Sequence, residues 1–468
     1  LMHQVRLRYH IMTPVLTLFL VIFLEGYVVL STELLAIRLL LPFTGSGTDT
    51  ISIIIAAVLM PLAFGYYAGG QFKTRHPGRH KSTVRKRLIY NLTISAAILT
   101  AGLSYPVLNG LFNLIYVQWR WGDQIILATA YALIFLVYPV FLLGQTVPLV
   151  SNYFSRSRLS IMTGKILFFS TLGSFMGAIF CTLVLMTFLG VHYTVVITIG
   201  CIAALVILLS KKAVDRAPLA VCGITLIALL LNNDFVMTKH NIVANNVYHT
   251  IEIEDFAETR TMKINKNISA AIYRNRSDTL AVYAQYIERT FIDPLIWNHQ
   301  PPSDILIIGA GGFTLGKTDR KNNYVYVDID KDLQEISERQ FLEQPLTPNK
   351  HFEPVPIRAY LNKTDKTFDL IIIDVFHGPS KSPEHLVTQE FFQQVRKALK
   401  PNGIMAGNYV VTANFTDPFS VNLDNTIRSV FSPVTRQIMQ NYDAWDHKNK
   451  WVNVIYSYDN AVDKSRVI

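Results

Sequence analysis

Hydrophobic residues are distributed unevenly along this chain of 468 residues. Before residue 235 they form long apolar runs, whereas from Val236 onward short apolar segments alternate with amphipathic ones. Runs of roughly 20 apolar residues match the thickness of a bilayer core and therefore predict membrane-spanning helices. We predict about seven such helices, near residues 14–40, 51–70, 88–105, 125–150, 166–188, 194–209 and 217–231.

Basic side chains concentrate in alternate loops between these spans. The loop 71–87 holds seven Lys or Arg residues and no acid, whereas three intervening loops together hold one basic residue, Arg120. Basic loops stay in the cytoplasm, so the N-terminus is predicted to be cytoplasmic. Seven crossings would place the C-terminal half outside, but the short span 217–231 either crosses or lies in the interface. The net charge of +10 is partly this topology signal, and no nucleic-acid partner is expected.

The predicted spans also contain ionisable residues, which have two interpretations, and glycine motifs. Glu25, Glu33 and Arg38 lie in apolar surroundings, where ionisable groups often serve transport. Pairing across helices is the alternative that we favour. Two Gly-x-x-x-Gly motifs, which start at Gly65 and Gly173, predict close helix packing.

After the transmembrane domain at 1–235, the sequence predicts two further domains. Residues 236–300 are predicted to form a small β-subdomain and a helix, and residues 301–468 an α/β domain. Alternating strands and helices at this spacing favour a parallel, doubly wound sheet. The predicted strands of both domains are 248–255, 260–264, 269–273, 305–308, 324–328, 368–373, 404–411, 434–440 and 451–458. The predicted helices are 279–291, 313–318, 331–342 and 385–399.

The most informative motif is a glycine loop, Gly309-Ala310-Gly311-Gly312, directly after an apolar strand. The following strand ends in Asp328-Ile329-Asp330, with Asp328 placed 19 residues after Gly309 (328 − 309). Such a carboxylate holds ribose hydroxyls in nucleotide-binding folds. Thr314 occupies the sixth position, where a dinucleotide site needs glycine, so an adenosyl ligand is favoured over NAD. A fold that has kept the loop without a ligand is the alternative.

A second acid follows the most apolar strand of this half. Asp374 comes directly after Phe368–Ile373, at the strand end where open α/β sheets bind ligands. A carboxylate there can accept a proton from an amine, or it can simply cap a loop. His377 opens a Gly-, Pro- and Ser-rich segment that indicates either a mobile lid or a plain surface loop. No Cys/His cluster has metal-ligand spacing, so no metal is expected.

Together these motifs resemble the polyamine aminopropyltransferases, or spermidine synthases, in the bacterial form fused to a multi-span membrane domain. The resemblance includes Phe23-Leu24-Glu25-Gly26 in the first span, Tyr248-His249-Thr250-Ile251 and Glu390-Phe391-Phe392, besides the glycine loop and Asp374. It implies an N-terminal all-α polytopic membrane domain in the bacterial inner membrane. It also implies a C-terminal α/β Rossmann-like domain of the methyltransferase and spermidine synthase type, with a small preceding β-sheet.

The resemblance also implies a reaction in which decarboxylated S-adenosylmethionine donates an aminopropyl group to a small amine or polyamine. Homodimer formation stays open. The residues that would border the cofactor are Gly309, Gly311, Gly312, Asp328 and Asp330. The residues that would act in catalysis are Asp374 and His377, and those that would contact the substrate are Tyr248, His249, Tyr283 and Gln285.

Several positions depart from the family pattern, which keeps a second function open. Ile357 stands where an acid that contacts adenine is expected, and His377 stands at the position of a second acid. The first hypothesis, which follows from the resemblance, is a membrane-anchored transferase. The second is a catalytically altered nucleoside- or polyamine-binding sensor or assembly module displayed outside the cytoplasm. A transporter whose soluble half binds the cargo is a third, weaker idea.

Overall fold

The computed structural model describes residues 2–45, 47–72, 80–119, 123–152, 159–210, 215–275, 279–298, 300–375, 382–439 and 451–461. The chain divides into two compact units. The first comprises residues 1–240 and 244–247, and the second comprises residues 241–243 and 248–468.

The first unit is built from helices. Its helices are α1 (Met2–Thr44), α2 (Thr48–Gly70), α3 (His80–Gly102), α4 (Tyr105–Trp119), α5 (Gln124–Tyr131), α6 (Val137–Gly144), α7 (Thr146–Ser151), α8 (Leu159–Ile179), α9 (Gly190–Leu209), α10 (Arg216–Leu231) and α11 (Asp234–Lys239). Two π-helical segments, Ala132–Leu136 and Phe180–Met186, continue α5 and α8.

Long apolar helices coincide with most of the predicted spans. Within the described residues, five are long and apolar enough to cross a membrane: Leu16–Thr44, Thr48–Gly70, Gln124–Ser151, Ile161–Met186 and Gly190–Leu209. A sixth candidate, Ser82–Gly102 followed by Tyr105–Ile115, bends by 63°. The predicted spans 88–105 and 125–150 leave residues 106–124 as a loop, whereas α4 forms a helix over most of this stretch. Arg216–Leu231 is a shorter apolar helix, so the number of crossings stays a prediction.

The glycine motifs pack helices closely, as predicted. A Cβ atom on Gly173 would collide with the backbone carbonyl of Phe23, and one on Gly177 would lie 2.6 Å from that of Tyr27. The α1 and α8 backbones therefore touch at glycine positions. A Cβ atom on Gly65 would likewise collide with α6.

The second unit contains two sheets. A four-stranded sheet has the order β1 (Ile242–Asn245), β2 (Thr250–Phe256), β3 (Thr259–Ile264) and β4 (Asn267–Tyr273). The helical segment after it comprises α12 (Val282–Ile287), a π-helical turn (Glu288–Ile292) and α13 (Asp293–Trp297).

The larger sheet has seven strands and a mostly parallel core. Its strands are β5 (Asp304–Ile308), β6 (Asn323–Asp328), β7 (Lys350–Pro354), β8 (Phe368–Ile373), β9 (Leu399–Thr412), β10 (Thr435–Ile438) and β11 (Trp451–Asp459). They lie in the order β10-β11-β9-β8-β5-β6-β7. β5 to β9 pair in parallel, whereas β11 is antiparallel to β9 and to β10. The Rossmann-like α/β fold is thus confirmed. The strands predicted at 434–440 and 451–458 are present as β10 and β11, but they run antiparallel, whereas a parallel sheet was predicted.

Helices pack beside this sheet: α14 (Leu333–Ile336) with the π-helical turn Ser337–Phe341, α15 (Ile357–Lys363), the 3-10 turn Glu384–Leu386, α16 (Gln389–Lys397) and α17 (Pro418–Val430). The helix predicted at 313–318 is wrong, because this stretch forms turns. Phe313 and Gly316 have φ values of +54° and +68°, which a right-handed helix excludes. β7 and α15 were not predicted.

Candidate active site

The candidate site lies at the carboxyl ends of β5, β6 and β8, three neighbouring strands of the large sheet. From β5 the chain proceeds to β6 and β7 on one side, whereas β8 pairs with the other side of β5. Open α/β sheets bind ligands at such a reversal of strand order, because the two chain directions leave a crevice there. A cavity of about 170 Å³ occupies this position.

The glycine turn forms the floor of the cavity. Gly309 has a φ of +92°, and a Cβ atom there would collide with the backbone carbonyl of Asp374. The Gly309 N–H donates to Val327 O at 3.0 Å, and the Asp374 N–H donates to Ile308 O at 2.8 Å. Gly311 has a φ of +50°, and a Cβ atom there would lie 2.9 Å from the Ser269 hydroxyl. Only glycine therefore allows this close approach of backbones.

Asp328 occupies the end of β6, beside the turn. One carboxylate oxygen accepts the Ala310 N–H at 3.1 Å, and the other accepts the Asp330 N–H at 3.2 Å. Burial raises the pKa of Asp328, although the charge of nearby His249 and the two backbone donors oppose this effect. Each oxygen has further acceptor capacity, so the carboxylate suits a pair of neighbouring hydroxyl groups.

Asp374 follows β8, and its carboxylate accepts hydrogen bonds from the side chains of Asn408 and Tyr283. Asn408 Nδ2 donates to Asp374 Oδ1 at 2.9 Å, and Asn453 Nδ2 donates to Asn408 Oδ1 at 3.0 Å. Burial raises the pKa of Asp374 to about 6, while hydrogen bonds from Asn408 and Tyr283 act against it. A carboxylate with such a pKa is ionised at neutral pH and accepts a proton more readily than an exposed aspartate does.

The other walls come from the small sheet, α12 and α15. His249 contributes its ring, which Asp330 Oδ2 holds through Nδ1 at 3.0 Å. Ser269 and Tyr283 close a second side, and the Tyr283 hydroxyl lies 3.4 Å from Ser269 O. Burial and the neighbouring Asp374 raise the pKa of Tyr283, so this hydroxyl stays protonated. Ile357, Arg358 and His385 also line the cavity.

Six of the sequence-predicted site residues line this one cavity: Gly309, Gly311, Asp328, Asp374, Tyr283 and His249. The other described candidates lie beside it. Gly312 packs against Phe341, and Asp330 is fully buried beneath His249. Tyr248 is 39% exposed, and Gln285 donates to the backbone oxygen of Thr279 at 2.8 Å. His377 lies outside the described residues.

Two cavity-related residues were missed by the sequence analysis. Asn408 is completely buried in β9, between Gly407 and Tyr409, and contacts the acid from behind. A polar residue inside an otherwise apolar strand is a signal that was available. Arg358 directly follows Ile357 and was not singled out, yet it lines the cavity and its Nε donates to Gln394 Oε1 at 3.2 Å.

Comparison with known proteins finds a family match within the second unit. The sequence profile of the spermine/spermidine synthase domain matches residues 294–441. A polyamine aminopropyltransferase from Vibrio vulnificus is 30% identical over 178 residues, which cover 36% of this chain and 56% of the relative. Another from Pyrobaculum calidifontis is 27% identical over 240 residues, covering 47% of this chain and 77% of the relative.

Among solved structures, a probable spermidine synthase from Corynebacterium glutamicum is 22% identical, with a TM-score of 0.38. The match covers 46% of this chain and 77% of that chain. The present chain spans about half the length of two of its curated relatives, at 56% and 44%. On the profile match, residues 294–441 of this chain are similar to the spermine/spermidine synthase domain.

Proposed function

We propose that the chain is a membrane-anchored transferase, which moves an aminopropyl or related group from an adenosyl sulfonium donor to an amine. The observation that carries this proposal is the placement of Asp328 and Asp374 on one cavity, on either side of the Gly309 turn. Asp328 is suited to accept hydrogen bonds from hydroxyl groups, and Asp374 is suited to accept a proton. In the family, the donor is decarboxylated S-adenosylmethionine.

The donor fits the part of the cavity next to the glycine turn. Gly309 and Gly311 line the cavity there, so the backbone of the turn would border the nucleoside. Asp328 would accept the two ribose hydroxyls, and the buried Ile357 would pack against the adenine ring. An apolar residue at 357 supplies contact area but no hydrogen bond to the base, so adenine would be held less selectively than by an acid.

The chemistry needs one bond to form and one to break. The amine nitrogen attacks the methylene next to the sulfonium, the new C–N bond forms, and the C–S bond breaks. Methylthioadenosine leaves with the bonding electron pair, and the nitrogen gives up one proton. Asp374 is the acceptor for this proton, since its pKa of about 6 leaves it ionised at neutral pH. Holding amine and donor in line supplies the main rate advantage.

The helical unit would supply the membrane anchor. Its long apolar helices are of the length that a bilayer requires, and their outward faces carry exposed apolar side chains such as Leu59, Phe175 and Leu183. We place this anchor in a bacterial inner membrane with the N-terminus in the cytoplasm. A transferase of this kind needs its second unit in the cytoplasm, where the donor is made.

Calorimetry and turnover measurements on the detergent-purified full chain test the transferase proposal. We expect decarboxylated S-adenosylmethionine and methylthioadenosine to bind, and Asp328→Ala to lose this binding. Asp374→Asn should keep binding and lose transfer to putrescine, because only the proton acceptor is removed. Asp365→Ala, which changes an exposed acid away from the cavity, is the matched control and should behave as wild type. Absence of binding by the wild-type chain would refute the proposal.

A second candidate function is a nucleoside- or polyamine-binding sensor or assembly module without transfer. Arg358 favours this candidate, because its cationic side chain lines the cavity and, among the described residues, only two carboxylates do so, Asp328 and Asp374. A dicationic acceptor is usually held by more acids than this. One-sided labelling of a Lys363→Cys variant separates the candidates, because an exterior location excludes the cytoplasmic donor.

A further inference from the structure

A second pocket lies in the helical unit, far along the chain from the site described above. Its volume is about 700 Å³, and it is formed by α3 together with the end of α9 and the start of α10. The α3 residues that line it are Ser82, Arg85, Lys86, Ile89, Tyr90 and Thr93, which recur at intervals of three and four along one face. From the other two helices come Ser210, Asp215, Arg216 and Ala217.

The pocket is positively charged. Three cations, Arg85, Lys86 and Arg216, line it with a single acid, Asp215. Within the described residues none of these three cations has an ion-pair partner, and each has at least part of its surface exposed. Three cations against one acid leave this concave surface with a net positive charge, which attracts an anion, and the guanidinium groups match the oxygens of a phosphate in geometry.

An apolar stripe leads away from this charged pocket. α10 begins at the pocket, and Leu219, Leu226 and Leu230 follow on one face of it, 58%, 56% and 59% exposed. Tyr90, which lines the pocket itself, is 55% exposed. A basic pocket continued by exposed leucines matches a molecule with an anionic head and apolar tails.

We propose that this pocket binds the headgroup of an anionic phospholipid, with the acyl chains lying along the α10 stripe. The inference rests on the membrane location included in the proposed function. Basic pockets between membrane helices are suited to phosphate-containing headgroups, because helix packing fixes the cations in place. The chemistry recognised is a phosphate ester, so free phosphate is the competing source of the same group.

Native mass spectrometry of the full chain in an uncharged detergent tests the proposal. The probes are phosphatidylglycerol, phosphatidylcholine with the same acyl chains, and inorganic phosphate. We expect phosphatidylglycerol to bind at least about 10-fold more tightly than phosphatidylcholine, and Arg85→Gln/Lys86→Gln to weaken it by about 10- to 30-fold. The milder Arg216→Gln should weaken it by about fivefold. Calorimetry at the adenosyl site shows that each variant is folded.

The matched control is Lys165→Gln/Lys239→Gln, which removes the same charge from exposed positions of the same unit. Its phosphatidylglycerol binding should stay within about twofold of wild type. Equal binding of both lipids, an equal loss in the control, or binding of inorganic phosphate without the lipid would overturn the inference. Release of wild-type chain from membranes by alkaline carbonate would instead refute the membrane anchor, and the lipid site with it.

Discussion

Asn408 is expected to set the pH range in which Asp374 accepts protons. Replacing it with leucine removes the donor to Asp374 Oδ1 while keeping a side chain of similar size. A hydrogen bond to a charged group contributes about 1.5–3 kcal/mol, and one pH unit corresponds to about 1.4 kcal/mol. The pKa of Asp374, which burial already raises to about 6, should therefore rise to roughly 7–8 in Asn408→Leu.

The pH dependence of kcat/KM reports this change, because it follows the titration of the free enzyme. Dividing the rate of Asn408→Leu by the wild-type rate at each pH cancels the titration of the amine acceptor. The ratio should fall to about one quarter at pH 7 and recover towards one at pH 9. Asn460→Ala, an asparagine that contacts Lys400 O instead of the cavity, is the control and should leave the ratio flat. A ratio that is equally low at every pH would contradict the proposed role of Asn408.

Three further outcomes concern residues of the second unit. Gly309→Ala should lower the free energy of unfolding by at least about 2 kcal/mol and abolish donor binding, because the position has a φ of +92° and the new methyl group would collide with Asp374. Thermal melts measure the loss, and Gly200→Ala, whose methyl group meets open space, is the control that should be tolerated. Asp374→Asn should stabilise the folded chain by up to about 3 kcal/mol at pH 8 but hardly at pH 4. The pKa of Asp374 is about 6 in the folded state and lower in the unfolded state, so ionising this carboxyl destabilises the fold as the pH rises. Equal gains at both pH values would exclude this cause. Glu288→Gln should likewise raise the melting temperature more at pH 8 than at pH 5, because burial raises the pKa of Glu288 to about 7, and a pH-independent change would count against it.

Elements with a strong hydrophobic pattern were predictable from the sequence. β5 and β8 are apolar apart from one aspartate each, Asp304 and Asp369, and the long helices of the first unit coincide with continuous apolar runs. β7 was not predictable in this way, since Lys350-His351-Phe352-Glu353-Pro354 contains one large apolar residue. It forms a strand because it pairs with β6, a long-range interaction that no local pattern encodes.

The candidate site was predictable as far as strand ends determine it. Asp328 and Asp374 were placed at the same edge because parallel strands end together, and the structure brings both to one cavity. Asn408 approaches Asp374 from a strand 34 residues later, so only the folded sheet reveals this contact. Gln285 shows the limit of resemblance, because its amide is already used by the backbone of Thr279.

The contact between the Gly309 α-carbon and the Asp374 carbonyl couples two parts of the site mechanically. The turn and the backbone of Asp374 therefore move together, so in the proposed reaction the main chain would set the spacing between the leaving sulfur and the base. Side chains elsewhere around the crevice are then free to diverge over evolutionary time. In the proposed transferase, the amine partner could therefore change while the main chain kept the transfer geometry.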